Sequence, residues 1–202
     1  MSAKNRGSIV IPQEKYYTPE RTIDVLLKEI NWDKVDSFTE PCRGTRAIYD
    51  KIPLSNDKKY WCELDEGRDY LNTKMPKVDL IITNPPFSLT LEFITNALTE
   101  SDCVIILQRL NYLGSKVRKP FWNQNPPTHL FVLSERPKFI AKCKNKKCNN
   151  NDSYRITEPA FKCVDCGEEV KPQSDSTEYC WFVFSKGYGE QIIKRPRGVY
   201  VL

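Results

Sequence analysis

Apolar and polar positions alternate along this chain so as to separate one-sided helices from buried strands. After a polar, irregular arm over residues 1–15, Ile23, Leu26, Leu27 and Ile30 recur at the spacing that lines one helical face. Pro19 suits the first position of that helix, and Glu20 its first turn, where an acid meets the positive end of the helix dipole. Short apolar runs then predict strands over 36–40, 59–64, 78–83 and 103–107, with later ones over 129–133 and 179–185. Between them, 89–98 reads as an amphipathic helix with Phe93, Ile94, Ala97 and Leu98 inward. Strands alternating with helices predict an α/β fold, a largely parallel sheet with helices on its faces. The stretch between the last two strands breaks the pattern. It is rich in Lys, Asn and Cys and poor in aliphatics, and reads as an inserted module. The expected organisation is an arm over 1–15, a main domain over 16–139 and 173–202, and an insertion over 140–172.

Composition narrows this picture only a little. The 202 residues fit one medium domain with a small appendage, and 40% hydrophobic residues are enough for a core. A net charge of +5 favours a polyanionic partner weakly. No run approaches the roughly 18 apolar residues of a membrane span. The polar start, Met1 to Gly7, lacks the apolar region of a secretion signal. A cytoplasmic, reducing location is therefore expected (host cytoplasm if the protein is viral), and the eight cysteines do not read as a disulfide framework.

The chemistry concentrates at strand ends. Asn84-Pro85-Pro86-Phe87 follows the apolar run that ends at Thr83. The Asn84 side-chain oxygen and the Pro85 carbonyl can both accept hydrogen bonds from one amino group. The prolines stiffen the turn and offer no N–H, and Phe87 offers a ring face for a flat substrate. Such a pocket suits a base bearing an exocyclic amine, with stacking worth roughly 1–3 kcal/mol. Upstream, Glu40-Pro41-Cys42-Arg43-Gly44 ends the first strand, where ligands of open α/β sheets sit. Glu63 ends the second strand, placed to bind ribose hydroxyls in competition with Asp65 and Glu66. Asp69-Tyr70 follows, an acid for an adenine amino group beside an aromatic for its ring.

In this order the residues resemble the S-adenosylmethionine-dependent DNA adenine-N6 methyltransferases, most closely the small phage-type enzymes. Tyr17-Thr18-Pro19 is similar to the family's motif X, Glu40 to Gly44 to motif I, Glu63 to the motif II acid, Asp69 to the motif III acid, and Asn84 to Phe87 to motif IV. The order is that of the gamma arrangement. Arg136-Pro137-Lys138-Phe139 and Tyr179-Cys180-Trp181-Phe182-Val183-Phe184 also resemble late segments of the phage proteins. The resemblance implies a Rossmann-like methyltransferase fold with an antiparallel late hairpin and S-adenosylmethionine as cofactor. The implied cofactor residues are Tyr17, Thr18, Pro19, Glu40, Pro41, Cys42, Gly44, Glu63, Asp69 and Tyr70, and the catalytic ones Asn84, Pro85, Pro86 and Phe87. This chain departs from the pattern in three ways: motif I has a single glycine, the piece between Glu63 and Val78 is too short for a full third strand, and no large target-recognition domain is present.

Within the insertion, Cys143-x4-Cys148 and Cys163-x2-Cys166 form two knuckles fourteen residues apart. This spacing fits a structural, all-thiolate Zn2+ site in a small ribbon, with no position open for catalysis. From Lys138 to Pro172 there are eight Lys or Arg and five Asp or Glu, a balance of +3. Four thiolates on one Zn2+ bring it to about +1, so charge alone does not make the ribbon a nucleic-acid grip. Its place in the family's sheet, beside the catalytic loop, favours nucleic-acid contact over a packing or dimerisation role. The remaining Cys42, Cys62, Cys103 and Cys180 read as small core residues, and His129 as structural. Tyr16 and Tyr17 read equally as core aromatics or pocket walls. The stretches Lys116-Val117-Arg118-Lys119 and Lys194-Arg195-Pro196-Arg197 read as phosphate contacts or solvated surface.

The expected activity is methyl transfer to N6 of adenine in double-stranded DNA by base flipping, with a homodimer or partner subunit possible and no membrane. The alternatives are RNA adenine methylation, cytosine N4 methylation, protein glutamine methylation, and a catalytically inactive nucleic-acid-binding module.

Overall fold

The computed structural model describes residues 18–143, 145, 147–148, 156–157, 162–163, 166–168, 170–174 and 176–202. In chain order the elements are α1 (Glu20–Leu27), β1 (Phe38–Glu40), β2 (Lys59–Trp61), β3 (Leu80–Thr83), α2 (Thr90–Glu100), β4 (Cys103–Arg109), α3 (Lys119–Gln124) and β5 (His129–Val132). Then follow β6 (Ile140–Cys143), β7 (Ile156–Thr157), β8 (Lys162–Cys163), β9 (Val170–Gln173), β10 (Tyr179–Ser185) and β11 (Gly198–Val201). Seven strands form one sheet in the order β11-β5-β10-β4-β3-β1-β2. β2, β1, β3 and β4 run parallel. β10 runs antiparallel to both β4 and β5, and β11 returns parallel to β5.

Strand side chains point alternately to opposite faces, and both faces of this sheet are covered. Leu80, Ile82, Ile105, Leu107, Trp181 and Val183 pack with Ile23, Leu26 and Ile30 around α1. Ile81, Val104, Ile106, Phe182 and Phe184 pack with Ile94 and Ala97 of α2 and with Phe121 and Trp122 of α3. This is why β3, β4 and β10 are continuous apolar runs. Each such buried side chain is worth about 1.5–3 kcal/mol. The Trp181 indole N–H donates to the Thr22 carbonyl at 3.1 Å and locks α1 to the sheet.

The local differences from expectation have physical reasons. α1 starts one residue late, because Pro19 keeps extended backbone (ψ 143°) and its carbonyl accepts the first helical bond from Thr22 at 3.0 Å. β2 stops at Trp61, three residues short of its expected end, and among the described residues no strand follows before Leu80, in keeping with the short piece after Glu63. There Cys62, Tyr70 and Met75 pack singly with Phe93 in a satellite cluster instead of alternating. α3 and β11 were not expected. β11 is an edge strand whose Val199 and Val201 are exposed, and within it only Tyr200 packs against the core, so its apolar residues do not mark a buried face. Among the described residues, no helix is long and apolar enough to cross a membrane.

The carboxyl ends of β1, β3, β4 and β5 share one edge of the sheet. Because β10 is antiparallel, its first residue, Tyr179, lies opposite Arg109 at that same edge. The loops after β1, β3 and β4 and the cysteine insertion between β5 and β10 therefore all open on one side. Within the insertion β6 pairs with β9 and β7 with β8, both antiparallel.

Candidate active site

The loop after β1 is held from beneath by β2. Cys62 N–H donates to the Glu40 carbonyl and Arg43 N–H to the Cys62 carbonyl, both at 3.0 Å. Gly44 has φ 49°, in the left-handed region where a side chain is strained. Its N–H donates to Glu63 Oε2 at 2.7 Å, while Glu63 Oε1 accepts from Asp65 N–H. Arg43 lies 3.2 Å from the Trp61 ring centroid and pairs with Glu66 at 2.6 Å; Arg68 lies 4.2 Å from the same ring. The Asp69 carboxylate accepts from Leu71 N–H and from the Asn72 amide. Tyr70 turns inward: its hydroxyl donates to Glu100 Oε2 at 2.7 Å and its ring packs on Phe93. Burial raises the pKa of both Tyr70 and Glu100.

These residues border a cleft of about 490 Å³, lined by Pro41, Cys42, Gly44, Glu63, Asp69, Tyr70, Asn84 and Pro86 together with Leu89 and Phe93. A smaller adjoining hollow of about 30 Å³ is lined by Thr18, Glu40, Cys42, Gly44 and Asn84. The structure thus gathers most of the residues singled out in the sequence. Pro19 is elsewhere, on a separate groove between α1 and the loop after β5. Pro85 and Phe87 are both buried, and neither is among the residues lining the cleft. Tyr16 and Tyr17 lie outside the described residues, as does the 1–15 arm.

Glu40 is 2% exposed, and its Oε2 has no hydrogen-bond partner among the described residues. Burial, only partly offset by a backbone hydrogen bond from Tyr49 and by nearby Arg43, pushes its carboxyl well above the ordinary range. A buried carboxylate oxygen at the rim of a hollow suits an incoming cation. The acid set, Glu40 in the hollow with Glu63 and Asp69 in the cleft, fits the ammonium, ribose and adenine of S-adenosylmethionine.

At the end of β3, Asn84 Nδ2 donates to Thr18 Oγ1 at 3.1 Å, which sets the orientation of the amide. The Cys42 thiol lies 3.0 Å from Thr83 Oγ1 and donates to the Asn84 carbonyl; burial drives its pKa up. Phe87 is 9% exposed. Its ring packs on Tyr179 with centroids 5.9 Å apart, and the Arg109 guanidinium lies 5.2 Å from its centroid. The ring expected to offer an open face is thus already engaged. Thr90 Oγ1 donates to the Phe87 carbonyl, and the Gln108 amide donates to Thr90 Oγ1. Thr90, Gln108, Arg109 and Tyr179 were not foreseen as site residues. Their one sequence signal is the polar pair Gln108-Arg109 closing an apolar strand at this edge.

In the insertion, the four thiols of Cys143, Cys148, Cys163 and Cys166 lie within 4.8 Å of one another, and none is in a disulfide. The Cys143–Cys166 and Cys148–Cys163 sulfurs are 3.4 and 3.9 Å apart. Four sulfurs at 2.3 Å from one tetrahedral ion stand about 3.8 Å apart, so the cluster has the dimensions of a thiolate metal site. Gly167 at φ 72°, donating its N–H to the Cys163 carbonyl, closes the second knuckle.

Elsewhere, His129 is buried, with Nε2 3.0 Å from the Arg195 carbonyl and Nδ1 3.0 Å from Thr128 Oγ1; burial lowers its pKa. Cys62, Cys103 and Cys180 are fully buried core residues. The 194–197 stretch is tied inward: Arg195 forks onto Glu29, Lys194 donates to the Lys28 carbonyl, and Arg197 pairs with Glu190. Arg195 and Arg197 keep exposed side chains despite these pairings.

No family model matches this sequence, and no curated protein does. Solved structures are similar to it in fold. A candidate RNA methyltransferase of Pyrococcus horikoshii is 14% identical with a TM-score of 0.55, over 91% of this chain and 94% of its own. A candidate class I S-adenosylmethionine-dependent methyltransferase of Listeria monocytogenes is 13% identical with a TM-score of 0.51, over 96% and 67%. The M protein of the type I restriction enzyme EcoKI is 12% identical with a TM-score of 0.50, over 93% of this chain and 48% of its own. The chain thus has the Rossmann-like methyltransferase fold: a parallel core, a late antiparallel strand, and a four-cysteine ribbon inserted beside the site.

Proposed function

We propose that this chain transfers a methyl group from S-adenosylmethionine to N6 of adenine in DNA. The observation that carries this reading is the continuity of the cleft, which runs from Gly44, Glu63 and Asp69 to Asn84 and Pro86 at the carboxyl edge of a methyltransferase fold. When bound, S-adenosylmethionine supplies a methyl group on a sulfonium, which leaves alignment and electrostatics to the protein. Glu40 holds an ammonium in the hollow, Glu63 the ribose hydroxyls, and Asp69 the adenine amine of the cofactor, with Tyr70 walling the cleft. Asn84 Oδ1 and the Pro85 carbonyl accept hydrogen bonds from the target amine and stabilise the positive charge that grows on it. Thr18 keeps the Asn84 amide turned the right way. Phe87, its ring already packed on Tyr179, holds the loop in place beside the base. A paired adenine cannot reach such a loop, so it is flipped out at a cost of a few kcal/mol.

The four-cysteine cluster holds one Zn2+ as a closed, structural site. Double-stranded DNA is the partner, and the ribbon meets it next to the flipped base. Target choice beyond this comes from a second copy of the chain or a partner subunit. One observation favours a second reading, methylation of adenine in RNA: the P. horikoshii neighbour, matched over 94% of its length, is described as an RNA enzyme.

The test is incubation with labelled S-adenosylmethionine and, separately, duplex DNA, single-stranded DNA, RNA and protein extract, followed by digestion and product identification. N6-methyldeoxyadenosine supports the leading reading and N6-methyladenosine in RNA the second. Label found in protein glutamine alone overturns both. Asn84→Ala is expected to abolish transfer, and full activity in that variant refutes the catalytic role of the loop.

A further inference from the structure

Between Asp102 and Glu135 the chain carries no acidic residue, although 26 Asp or Glu are spread over its 202 residues. The same tract holds Arg109, Lys116, Arg118 and Lys119. Three of these flank Val117, whose 87% exposure exceeds that of every other large apolar side chain among the described residues. The loop that carries them leaves the carboxyl end of β4, so it opens on the side of Asn84 and Phe87.

The base of this loop is braced by contacts, while the Val117 side chain at its tip is exposed. Arg118 Nε donates to the Tyr112 carbonyl at 2.7 Å, and the guanidinium stacks 3.9 Å from the centroid of the Tyr112 ring. The Tyr112 hydroxyl faces the first turn of α2 at Thr90 and Leu91, directly behind the catalytic loop. Its ring meets Trp122 edge-on, and Trp122 stacks on Phe182 and Phe184 of β10. Val117 thus stands on a braced support, with Lys116 and Lys119 exposed on either side.

We infer that the 109–119 loop is the nucleic-acid wedge of this chain: Val117 enters the base stack beside the flipped nucleotide, and Lys116 and Lys119 hold the flanking phosphates. This rests on the proposed nucleic-acid methyl transfer. An apolar side chain held in water gains by entering a gap between bases, and cations beside it neutralise the backbone. The wedge offsets part of the unstacking that flipping demands. An apolar tip kept clear of the core, on an acid-free loop beside the amine pocket, suits this task and no packing role.

Two measurements test it. The first compares methylation of a duplex that the wild type modifies with the same duplex carrying an abasic site opposite the target, where flipping is eased. Val117→Ser is expected to slow the paired duplex at least tenfold and the abasic one less than twofold, with unchanged cofactor affinity. Equal slowing on both, or none on the paired duplex, overturns the wedge, as does a wild type that modifies no duplex. The second reads duplex binding by fluorescence anisotropy across a salt series. Lys116→Ala/Lys119→Ala is expected to weaken binding and flatten the slope of log K against log salt by about 2. That result supports the surface even if the methylated product lies in RNA, whereas unchanged affinity overturns it whatever the product.

Discussion

Replacing Thr18 by Val removes the acceptor that holds the Asn84 amide and little else. Thr18 Oγ1 takes the Nδ2 hydrogen bond at 3.1 Å in a site that is largely shielded from water. Valine keeps the shape of threonine but lacks the oxygen. Losing a hydrogen bond of this kind, with its donor kept from solvent, costs about 1–3 kcal/mol. If that cost falls on the aligned state of the amide, kcat drops roughly 5- to 150-fold, since 1.36 kcal/mol is a factor of ten. The assay is the initial rate of methyl transfer at saturating S-adenosylmethionine and nucleic acid, with cofactor affinity measured calorimetrically on the same preparations. The expected result is a loss in kcat with cofactor affinity little changed, restored by Thr18→Ser. An unchanged kcat refutes the reasoning. So does a fall in cofactor affinity as large as the fall in rate, which would return Thr18 to the cofactor-holding role that the motif X resemblance implies.

Three further outcomes are expected. Burial favours the neutral form of Glu40, so the folded chain retains a proton that the unfolded chain releases. The stability of the cofactor-free protein is then fullest below the ordinary value of 4.5 and falls as pH rises through the raised one. Melting temperatures across a pH series should show Glu40→Gln losing that decline while cofactor affinity collapses; an unaltered pH profile refutes the assignment. A Cβ on Gly189 would stand 2.1 Å from the Asp102 carbonyl oxygen and 2.9 Å from Cys103 N, backbone atoms that cannot yield. Gly189→Ala should therefore destabilise by more than about 3 kcal/mol in urea titration, and a near-native midpoint would contradict the packing. Metal analysis of freshly purified, never-oxidised protein should find one zinc per chain, absent in Cys163→Ser; no zinc in the wild type defeats the ribbon reading.

Much of the fold was legible because burial on both faces leaves long apolar runs. The expected strand over 179–185 coincides with β10, and β4 extends its expected run by two residues, to Gln108 and Arg109. Legibility fails where side chains act singly. Cys62, Tyr70 and Met75 each fill a gap against Phe93 and leave no period to read. It also fails at the edge, where β11 buries no second face. At the site, an amide and two prolines ending an apolar strand announced themselves. The partner of that amide did not, because Thr18 and Asn84 are 66 residues apart and only the seating of α1 on Trp181 brings them together. At 194–197 the basic run read as phosphate contacts or solvated surface, and the structure adds ion pairs from Arg195 and Arg197. Their acids, Glu29 and Glu190, were visible in the sequence but their proximity was not.

The cysteine ribbon and the amine pocket share their footing. The chain enters the insertion past Phe139 and leaves it at Tyr179, and these two rings meet edge-on with centroids 5.0 Å apart. Arg136 and Glu178 close the same neck with an ion pair. Tyr179 then packs on Phe87 and accepts from Arg109 Nε at 3.2 Å, so the neck of the ribbon is also a wall of the catalytic loop. Arg109 begins the basic loop that ends in Val117 and Lys119. Ribbon, wedge loop and catalytic loop therefore meet at one aromatic and guanidinium cluster on one edge of the sheet. If the proposed nucleic-acid methyl transfer holds, a strand that presents a base to Asn84 meets this shared edge, where the neck of the ribbon and the 109–119 loop both rise.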